Sequence, residues 1–480
     1  MNTNGQKKYL VVDLDNSLLK IDLFKEVFGK SLLTQPLAFI KTLLLLFKSK
    51  ALAKTYISNN VNIDSVILPF ENRIIEIISN YKKKNYDVTL ATGASHNYAN
   101  AISNHIKLFD RVIATNKEIN NIGENKLQAI KNEIGDNFIY IGDSAEDIPI
   151  WLHCKKAIIV GHKPRIKKEL NRNDVEIIDV IKNKKSKVKI ILDQLRIHQW
   201  SKNILLFVPA FASHQLFNAS VFTNIIIGFI SFSLFASSIY IVNDIVDIDN
   251  DRAHPKNKKR PISAGNLPIF QAYFLLFICL ICGVCFASIL GSVFFTIMIS
   301  YVFLNFLYSF FCKRIIILDV IFLMIFYILR LIAGHAPDKI PLSPWLLAFC
   351  MFLFFSLGFL KRYVDTIIIR KNNILLLKGR GYSIHDGKIL VSLGVGSGLL
   401  SSLVLILYTT SNQVQGHYSS PLILIGLAPL MLYWISRIWL MAERGKIKGD
   451  PVLFTIKDLN SYVVAFCGLI VIITAFYYPF

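Results

Sequence analysis

Acidic residues are in short supply: 32 Asp and Glu stand against 53 Lys and Arg, giving a formal net charge of +21. Cysteine is scarce as well. The seven cysteines follow no paired spacing, so a disulfide framework is excluded. Cys279, Cys282 and Cys285 recur at three-residue intervals in one apolar run with no histidine or carboxylate between them. They read as small apolar residues of a packed helix rather than as a metal site. The polar opening MNTNGQKKYL holds no cleavable signal peptide, so the first membrane helix is expected to serve as the export signal. No internal repeat and no extended low-complexity tract is present.

What the chain has in abundance is apolar sequence, 53% of its residues, and nearly all of the long runs lie beyond residue 200. Runs near 20 residues are long enough for a helix to cross a bilayer core. Nine segments qualify, at roughly 203–217, 221–242, 268–288, 291–311, 317–335, 344–360, 390–410, 420–440 and 461–479; the first is short and interrupted by Pro209. The connections alternate in charge. Lys182, Lys184, Lys185, Lys187, Lys189, Arg196 and Lys202 precede the first segment, and Lys256, Lys258, Lys259 and Arg260 follow the second. Further basic groups follow the fourth, sixth and eighth, whereas SHQLFNAS, GHAPDKIPLS and TSNQVQGHYSS carry almost none. The positive-inside rule then predicts a bacterial plasma-membrane protein with a cytoplasmic N-terminal domain and an external C-terminus. Because the basic residues border helices, anionic lipids and phosphorylated ligands are the expected partners, and nucleic acid is not.

Before residue 200 the sequence reads as a soluble domain. KYLVVDLDNSLLK predicts a buried parallel strand whose end delivers Asp13 and Asp15, two positions apart and able to face one way. DVTLATGAS ends in Thr92, and NFIYIGDSAEDIP ends in Asp143 and Asp147. Three strands delivering polar groups at their carboxyl ends predict a doubly wound sheet with a site there. Carboxylates with a divalent cation suit phosphoryl transfer. The expected layout is an α/β domain over 1–180, a basic linker over 181–200 and an all-α membrane domain over 201–480; residues 163–189 have the composition of a tether.

The motifs of the soluble domain resemble the haloacid dehalogenase superfamily of phosphatases. That resemblance implies Asp13 as nucleophile, Asp15 as general acid/base, Thr92 and Lys126 as phosphate ligands, and Mg²⁺ held at Asp13, Asp15 and Asp143 with Asp147 in support. It also implies a mostly helical cap over residues 20–65. Asn16-Ser17 stands where the superfamily usually has Gly-Thr. A decayed domain kept for folding is the alternative, and the full set of ionisable residues argues against it.

In NDIVDIDND, Asn243, Asp244, Asp247 and Asp251 share one helix face, while Asp249 falls off it. Three carboxylates beside the hydrocarbon are costly without a cation, so a site for Mg²⁺ and a diphosphate is the default reading. The basic loop behind would hold phosphate oxygens. NDxxDxxxD is the signature of the UbiA superfamily of intramembrane prenyltransferases, and the wider context resembles its decaprenyl-phosphate phosphoribosyltransferase branch. LRIHQWSKNILLFVPAF, DRAHPKNKKRPISAG, LYSFFCK, ILRLIAG, IPLSPW and KRYVD occur in that branch's order; Ile197, His198, Asn257 and Asp365 depart from its common residues.

The resemblance implies transfer of 5-phosphoribose from phosphoribosyl diphosphate to a polyprenyl phosphate, with Mg²⁺ on Asp244, Asp247 and Asp251 oriented by Asn243. Lys202, Arg252, His254, Lys258 and Arg260 are then candidates for donor phosphates. Lys313, Lys361 and Arg362 are candidates for the acceptor phosphate or the 5-phosphate, and Tyr308 and Ser309 for contacts near the reacting centre. Arg330, within an apolar helix, needs a partner: Asp319 or a phosphate. The soluble domain would remove the 5-phosphate. Prenyl transfer to an aromatic acceptor and a non-enzymatic lipid carrier are the rival readings, and the sequence leaves oligomeric state open.

Overall fold

The computed structural model describes residues 7–181, 186–371, 380–411, 414, 418–447 and 449–477. Lys182, Lys184 and Lys185 lie outside the described residues, as do Lys378 after the sixth segment, Lys448 after the eighth and part of TSNQVQGHYSS. Two compact units are distinguished: Met1–Arg196 with Tyr240–Ile278, and Ile197–Ile239 with Cys279–Phe480.

The first unit is built on a six-stranded parallel sheet of order β3-β2-β1-β4-β5-β6. Its strands are β1 (Lys8–Val12), β2 (Tyr86–Ser95), β3 (Arg111–Thr115), β4 (Phe138–Gly142), β5 (Lys156–Val160) and β6 (Ile177–Ile181). β1 pairs with β2 from Lys8↔Tyr86 to Val12↔Leu90, and with β4 from Tyr9↔Phe138 to Val12↔Ile141. The apolar run of β1 serves two cores because successive side chains face opposite layers. Leu10 and Val12 join Ile74, Ile78, Ala99 and Ile102 on one side; Val11 joins Leu127, Ile130, Trp151 and Leu170 on the other. The chain leaves β1 toward β2 and later returns to β4, so the carboxyl ends of β1 and β4 flank the switch point where such sheets open a crevice.

Between β1 and β2 the chain makes a wide turn at Leu14–Leu18, with Asn16 at φ 52°, and then three helices. These are α1 (Leu23–Thr34), α2 (Pro36–Leu46) and α3 (Lys50–Asn60), filling the expected insertion, followed by α4 (Asn72–Lys83). Asp22 caps α1 through Lys25 N at 2.9 Å, and Pro36 opens α2 where a missing N–H costs nothing. Residues 163–189 are less of a tether than their composition predicts. Pro164–Arg172 is helical, and Ile177–Ile181 completes the sheet by pairing with β5. The strand is apolar apart from Asp179 and is buried only at Ile181, and the polar composition around it conceals it.

Among the described residues, eight helices are long and apolar enough to cross a membrane: Ala219–Val246, Ile269–Ile289, Ser292–Phe310, Leu318–His335, Pro344–Ile368, Ile384–Thr409, Pro421–Glu443 and Leu459–Tyr477. The predicted first segment is not among them. It is broken into Lys187–Leu195, a 3₁₀ stretch Ile197–Phe207 and the short helix Val208–Ala212, with Arg196 in the left-handed region at φ 52°. Within the second unit, small residues let helices approach. A Cβ on Gly334 would lie 2.1 Å from the Leu206 carbonyl oxygen, and one on Gly394 would lie 2.2 Å from the Trp439 ring.

Candidate functional site

Three clusters gather the residues singled out in the sequence. The first lies at the carboxyl ends of β1 and β4. Asp13, directly after β1, and Asp143, directly after β4, are both buried, and their carboxylate oxygens lie within 4.8 Å of each other and of Asp147. Lys126 reaches in from Glu124–Ile134, donating from Nζ to Asp13 Oδ1 at 2.8 Å, Tyr140 Oη at 2.9 Å and Asp147 Oδ1 at 3.1 Å. Tyr140 Oη donates to Asp147 Oδ1 at 2.7 Å, and the Asp143 and Ser144 amides donate to Asp147 Oδ2 at 3.2 Å each. Asp147 is thus a scaffold whose oxygens are taken, and it lines the cavity together with Asp13 and Asp143.

Asp15 lies apart from that trio. Its Oδ1 accepts from Leu23 N at 2.8 Å, which pins it to the start of α1. Thr92 is fully buried, its hydroxyl accepting from Ala94 N at 2.9 Å. The site opens into a cavity of about 390 Å³ lined by Asp13, Asp15, Lys54, Lys126 and Asp143 with Phe24, Leu46 and Lys50 of the helical insertion. Lys54, which sequence reasoning missed, donates to Gly93 O at 2.6 Å and Asn120 Oδ1 at 3.0 Å.

Burial sets the electrostatics. It pushes Asp13 up to about 6 against the pull of Lys126. Burial, with the charges of Asp22 and Asp13, pushes Asp15 up to about 8, and burial beside Asp13 and Asp147 pushes Asp143 to about 7. For Asp147 burial acts upward too, but Lys126, Tyr140 and Ser144 outweigh it and hold the group below its usual range. Lys126 is held above its usual value because Asp13 and Asp147 outweigh its own burial.

The second cluster, in the same unit, is the aspartate-rich turn. The helix Ala219–Val246 ends just before Asp247, and a short helix Ile248–Ala253 follows. Helical bonding nearly persists across the break: Asp247 N donates to Asn243 O at 2.9 Å and Asp251 N to Asp247 O at 2.8 Å. Gln194 donates to Asp244 Oδ2 at 2.9 Å, Arg196 and Arg260 both pair with Asp244 Oδ1, and Arg260 also pairs with Asp251. Asn257 Nδ2 holds Asp251 Oδ1 at 2.8 Å. One guanidinium therefore bridges two of the three carboxylates where a metal was expected.

Arg252 takes a different place from the one its sequence position suggests. It is buried in a bidentate pair with Glu26 of α1, at 2.7 and 2.8 Å, and donates to Ser263 O at 2.9 Å. Asp249, off the aspartate stripe, pairs with Lys30 of α1. His254 and Lys258 are exposed. Nothing in the local spacing pairs residues more than 200 positions apart, so Glu26 and Lys30 were invisible as partners.

The third cluster lies wholly in the second unit. Arg362 is fully buried, paired with Asp319, with Asp365 at 2.8 Å and with Tyr308 Oη at 3.4 Å. Tyr382 Oη donates to Asp319 Oδ1 at 2.6 Å. Lys202 and Lys361 converge on Asp450 Oδ2 at 2.6 and 3.4 Å. Burial alone would raise Asp450; the two lysines reverse this and hold it well below the usual carboxylate range. The Asp450-Pro451 helix start was its only sequence signal. Arg330 is not partnered by Asp319: its Nε donates to Asn203 Oδ1 at 2.8 Å, and its guanidinium lies over Phe232, Tyr301 and Tyr327. Ser309 and Lys313 are half-buried at the end of Ser292–Phe310 and just beyond it.

The second and third clusters lie largely within a stretch recognised by sequence. The model of the UbiA prenyltransferase family matches residues 204–455, more than half of the chain. The chain belongs to that family. As a UbiA prenyltransferase with eight helices, among the described residues, long and apolar enough to cross a membrane, it is an integral membrane enzyme. This UbiA chain is similar to an uncharacterized protein of Sinorhizobium fredii, 30% identical over 461 residues that cover 96% of this chain and 89% of the relative. It is also similar to a decaprenyl-phosphate phosphoribosyltransferase of Corynebacterium glutamicum, 32% identical over 194 residues. That match covers 39% of this chain and 58% of the relative. Among solved structures, a UbiA homologue from Archaeoglobus fulgidus bound to GPP and Mg²⁺ aligns at TM-score 0.45 and 16% identity, covering 59% of this chain and 99% of its own.

Proposed function

We propose that the membrane domain transfers 5-phosphoribose from phosphoribosyl diphosphate to a polyprenyl phosphate, and that the N-terminal domain is a haloacid dehalogenase-like phosphatase that removes the 5-phosphate. The observation that carries the transferase reading is compositional. The aspartate-rich turn is retained, whereas the segment GFLKRYVDT offers Lys361 and Arg362 with one carboxylate. That balance suits a donor and an acceptor that both carry phosphate, and the similarity to phosphoribosyltransferases over 194 residues points the same way.

In the transfer, a phosphate oxygen of the acceptor attacks the anomeric carbon, that carbon's bond to pyrophosphate breaks, and pyrophosphate departs. Asp244, Asp247 and Asp251 would offer carboxylate oxygens to Mg²⁺, although their oxygens do not converge within 4.8 Å as those of Asp13, Asp143 and Asp147 do, and Arg260 between Asp244 and Asp251 stands in the place of a cation. When bound there, Mg²⁺ would offset the charge of the leaving pyrophosphate. Arg260, Lys258 and His254 would bind donor phosphate oxygens, and Asn243 would orient the carboxylates. Lys202, Lys361 and Lys313 would bind phosphate in the second unit, with Tyr308, Ser309, Arg330 and Arg362 shaping the polar ground around them. For Arg252, the Glu26 pair favours holding the turn in shape over contacting the donor.

In the soluble domain, Asp13 Oδ2 would attack phosphorus while Lys126 keeps Oδ1 oriented, and Asp143 with Asp13 would hold Mg²⁺. Asp15, raised to about 8, carries a proton at neutral pH and would donate it to the departing ribose oxygen, then recover it from the water that hydrolyses the aspartyl phosphate. The product would be polyprenylphosphoryl ribose.

The charge pattern supports a cytoplasmic N-terminal domain and an external C-terminus in the plasma membrane, which needs an odd number of crossings. The broken segment can supply the ninth. Eleven residues in 3₁₀ geometry and five in α geometry reach ~30 Å, about the hydrocarbon thickness.

The test uses purified full chain, Mg²⁺, polyprenyl phosphate and ribose-labelled phosphoribosyl diphosphate. Wild type is expected to yield lipid-linked ribose, Asp13→Asn to stop at its 5-phosphate, and Asp247→Asn to yield no labelled lipid. Labelled lipid that is identical in Asp13→Asn removes the phosphatase assignment. No labelled lipid from wild type, with turnover of a prenyl diphosphate and an aromatic acceptor, replaces the transferase assignment.

A further inference from the structure

Helix α2 turns an apolar face outward. Leu37, Ile40, Leu44 and Phe47 follow spacings of three, four and three, and are 84%, 52%, 62% and 84% exposed. The opposite face is seated: Ala38 and Thr42 are buried, and Phe39 and Leu46 pack against the core. Lys41 and Lys48 flank the stripe and are exposed. A patch of this size bordered by lysines marks a binding surface, and this pattern on a helix suits one lying in the plane of a bilayer interface.

Lipid is distinguished from a protein partner by what stands next to the stripe. α1 leads into α2 through the single residue Gln35, and α1 is docked on the first turn of the spanning helix Ile269–Ile289. Tyr273 Oη donates to Gly29 O at 2.9 Å. A Cβ on Gly29 would lie 2.7 Å from Ile269 Cγ2, and the Phe28 and Phe270 rings are 6.4 Å apart. The exposed stripe is therefore held beside the point where a helix enters the bilayer. Leu46, at the end of α2, also lines the carboxylate cavity with Phe24 and Lys50.

We propose that α2 lies in the membrane interface and that the cavity beside it receives phosphomonoesters carried on lipid. The substrate half rests on the phosphatase reading above; the membrane half does not. Embedding α2 would shorten the path by which a lipid-borne phosphate reaches Asp13, while Lys50 at the rim meets its charge.

Two measurements on the full chain in nanodiscs of phosphatidylglycerol and phosphatidylcholine test this. p-Benzoylphenylalanine replaces Leu44 in one sample and the exposed Lys83 of α4 in another, and adducts are read by mass spectrometry after irradiation. A lipid adduct at 44 and none at 83 is the expected result. A peptide adduct at 44, or no adduct, overturns the membrane placement. Next, the double variant Leu44→Glu, Phe47→Glu is compared with wild type on p-nitrophenyl phosphate and on polyprenyl-phosphoryl 5-phosphoribose. Turnover of the soluble ester should stay within about twofold while the lipid ester falls by about tenfold or more. Equal change on both overturns lipid delivery. Hydrolysis of neither ester by wild type sinks the phosphatase reading and the substrate half with it, and the adduct at 44 then decides the membrane half by itself.

Discussion

Lys126 neutralises two buried carboxylates at once, so its removal leaves Asp13 and Asp147 uncompensated. Lys126→Met is expected to abolish the proposed phosphatase turnover and to destabilise the N-terminal α/β domain by about 3–5 kcal/mol, read by calorimetry of the full chain. The same site predicts a pH dependence. Asp15 and Asp143 stand at about 8 and about 7 against an ordinary 3.8, so their stabilising contribution is complete below about 4 and is lost as pH climbs through 7 and 8. In EDTA the domain's Tm should fall between about pH 4 and 8, and Asp143→Asn should flatten that slope below about 7. A Tm that rises over that range would refute the assignment. Glu26 and Arg252 form the other sensitive pair. Glu26→Gln leaves a buried guanidinium without its counter-charge, and amide exchange should rise together in α1 and in residues 249–265. Exchange confined to α1 would show that the pair does not hold the turn. Asp13, Asp143 and the aspartate stripe were legible because strand ends and helical spacing are local signals. Glu26, Lys54 and Asp450 were not, since their partners lie far along the chain.

At the level of elements, the apolar runs and strand ends were readable as period and length, while the breaks between elements were not. The left-handed Arg196 and the 3₁₀ geometry of Ile197–Phe207 interrupt a segment that hydropathy shows as one short run. If that broken segment crosses, alkaline phosphatase fused after Asn218 should be active and the same enzyme fused after Asn257 inactive. Activity in the reverse order would invert the topology. Strand β6 was missed for the opposite reason: its polar neighbours outweigh a short apolar stretch, and only pairing with β5 defines it. The insertion between β1 and β2 was expected as helical, but its division into a docking helix and an outward apolar helix depends on which faces find partners.

For the whole molecule, the sequence by itself determined the two architectures, a parallel α/β sheet and a bundle of apolar helices. Continuous β-branched runs specify a parallel sheet covered on both faces, twenty-residue apolar runs specify spanning helices, and carboxylates at strand and helix ends specify where anionic substrates and metal would meet. These are local consequences of period, length and the cost of burying charge. Tertiary structure alone decided which charges compensate which. Arg252 belongs to Glu26, Arg260 spans Asp244 and Asp251, Arg330 rests on neutral oxygens and aromatic faces, and Lys202 and Lys361 share Asp450. A buried charge is stable only beside a specific partner, and that partner is chosen by packing between distant elements rather than by distance along the chain.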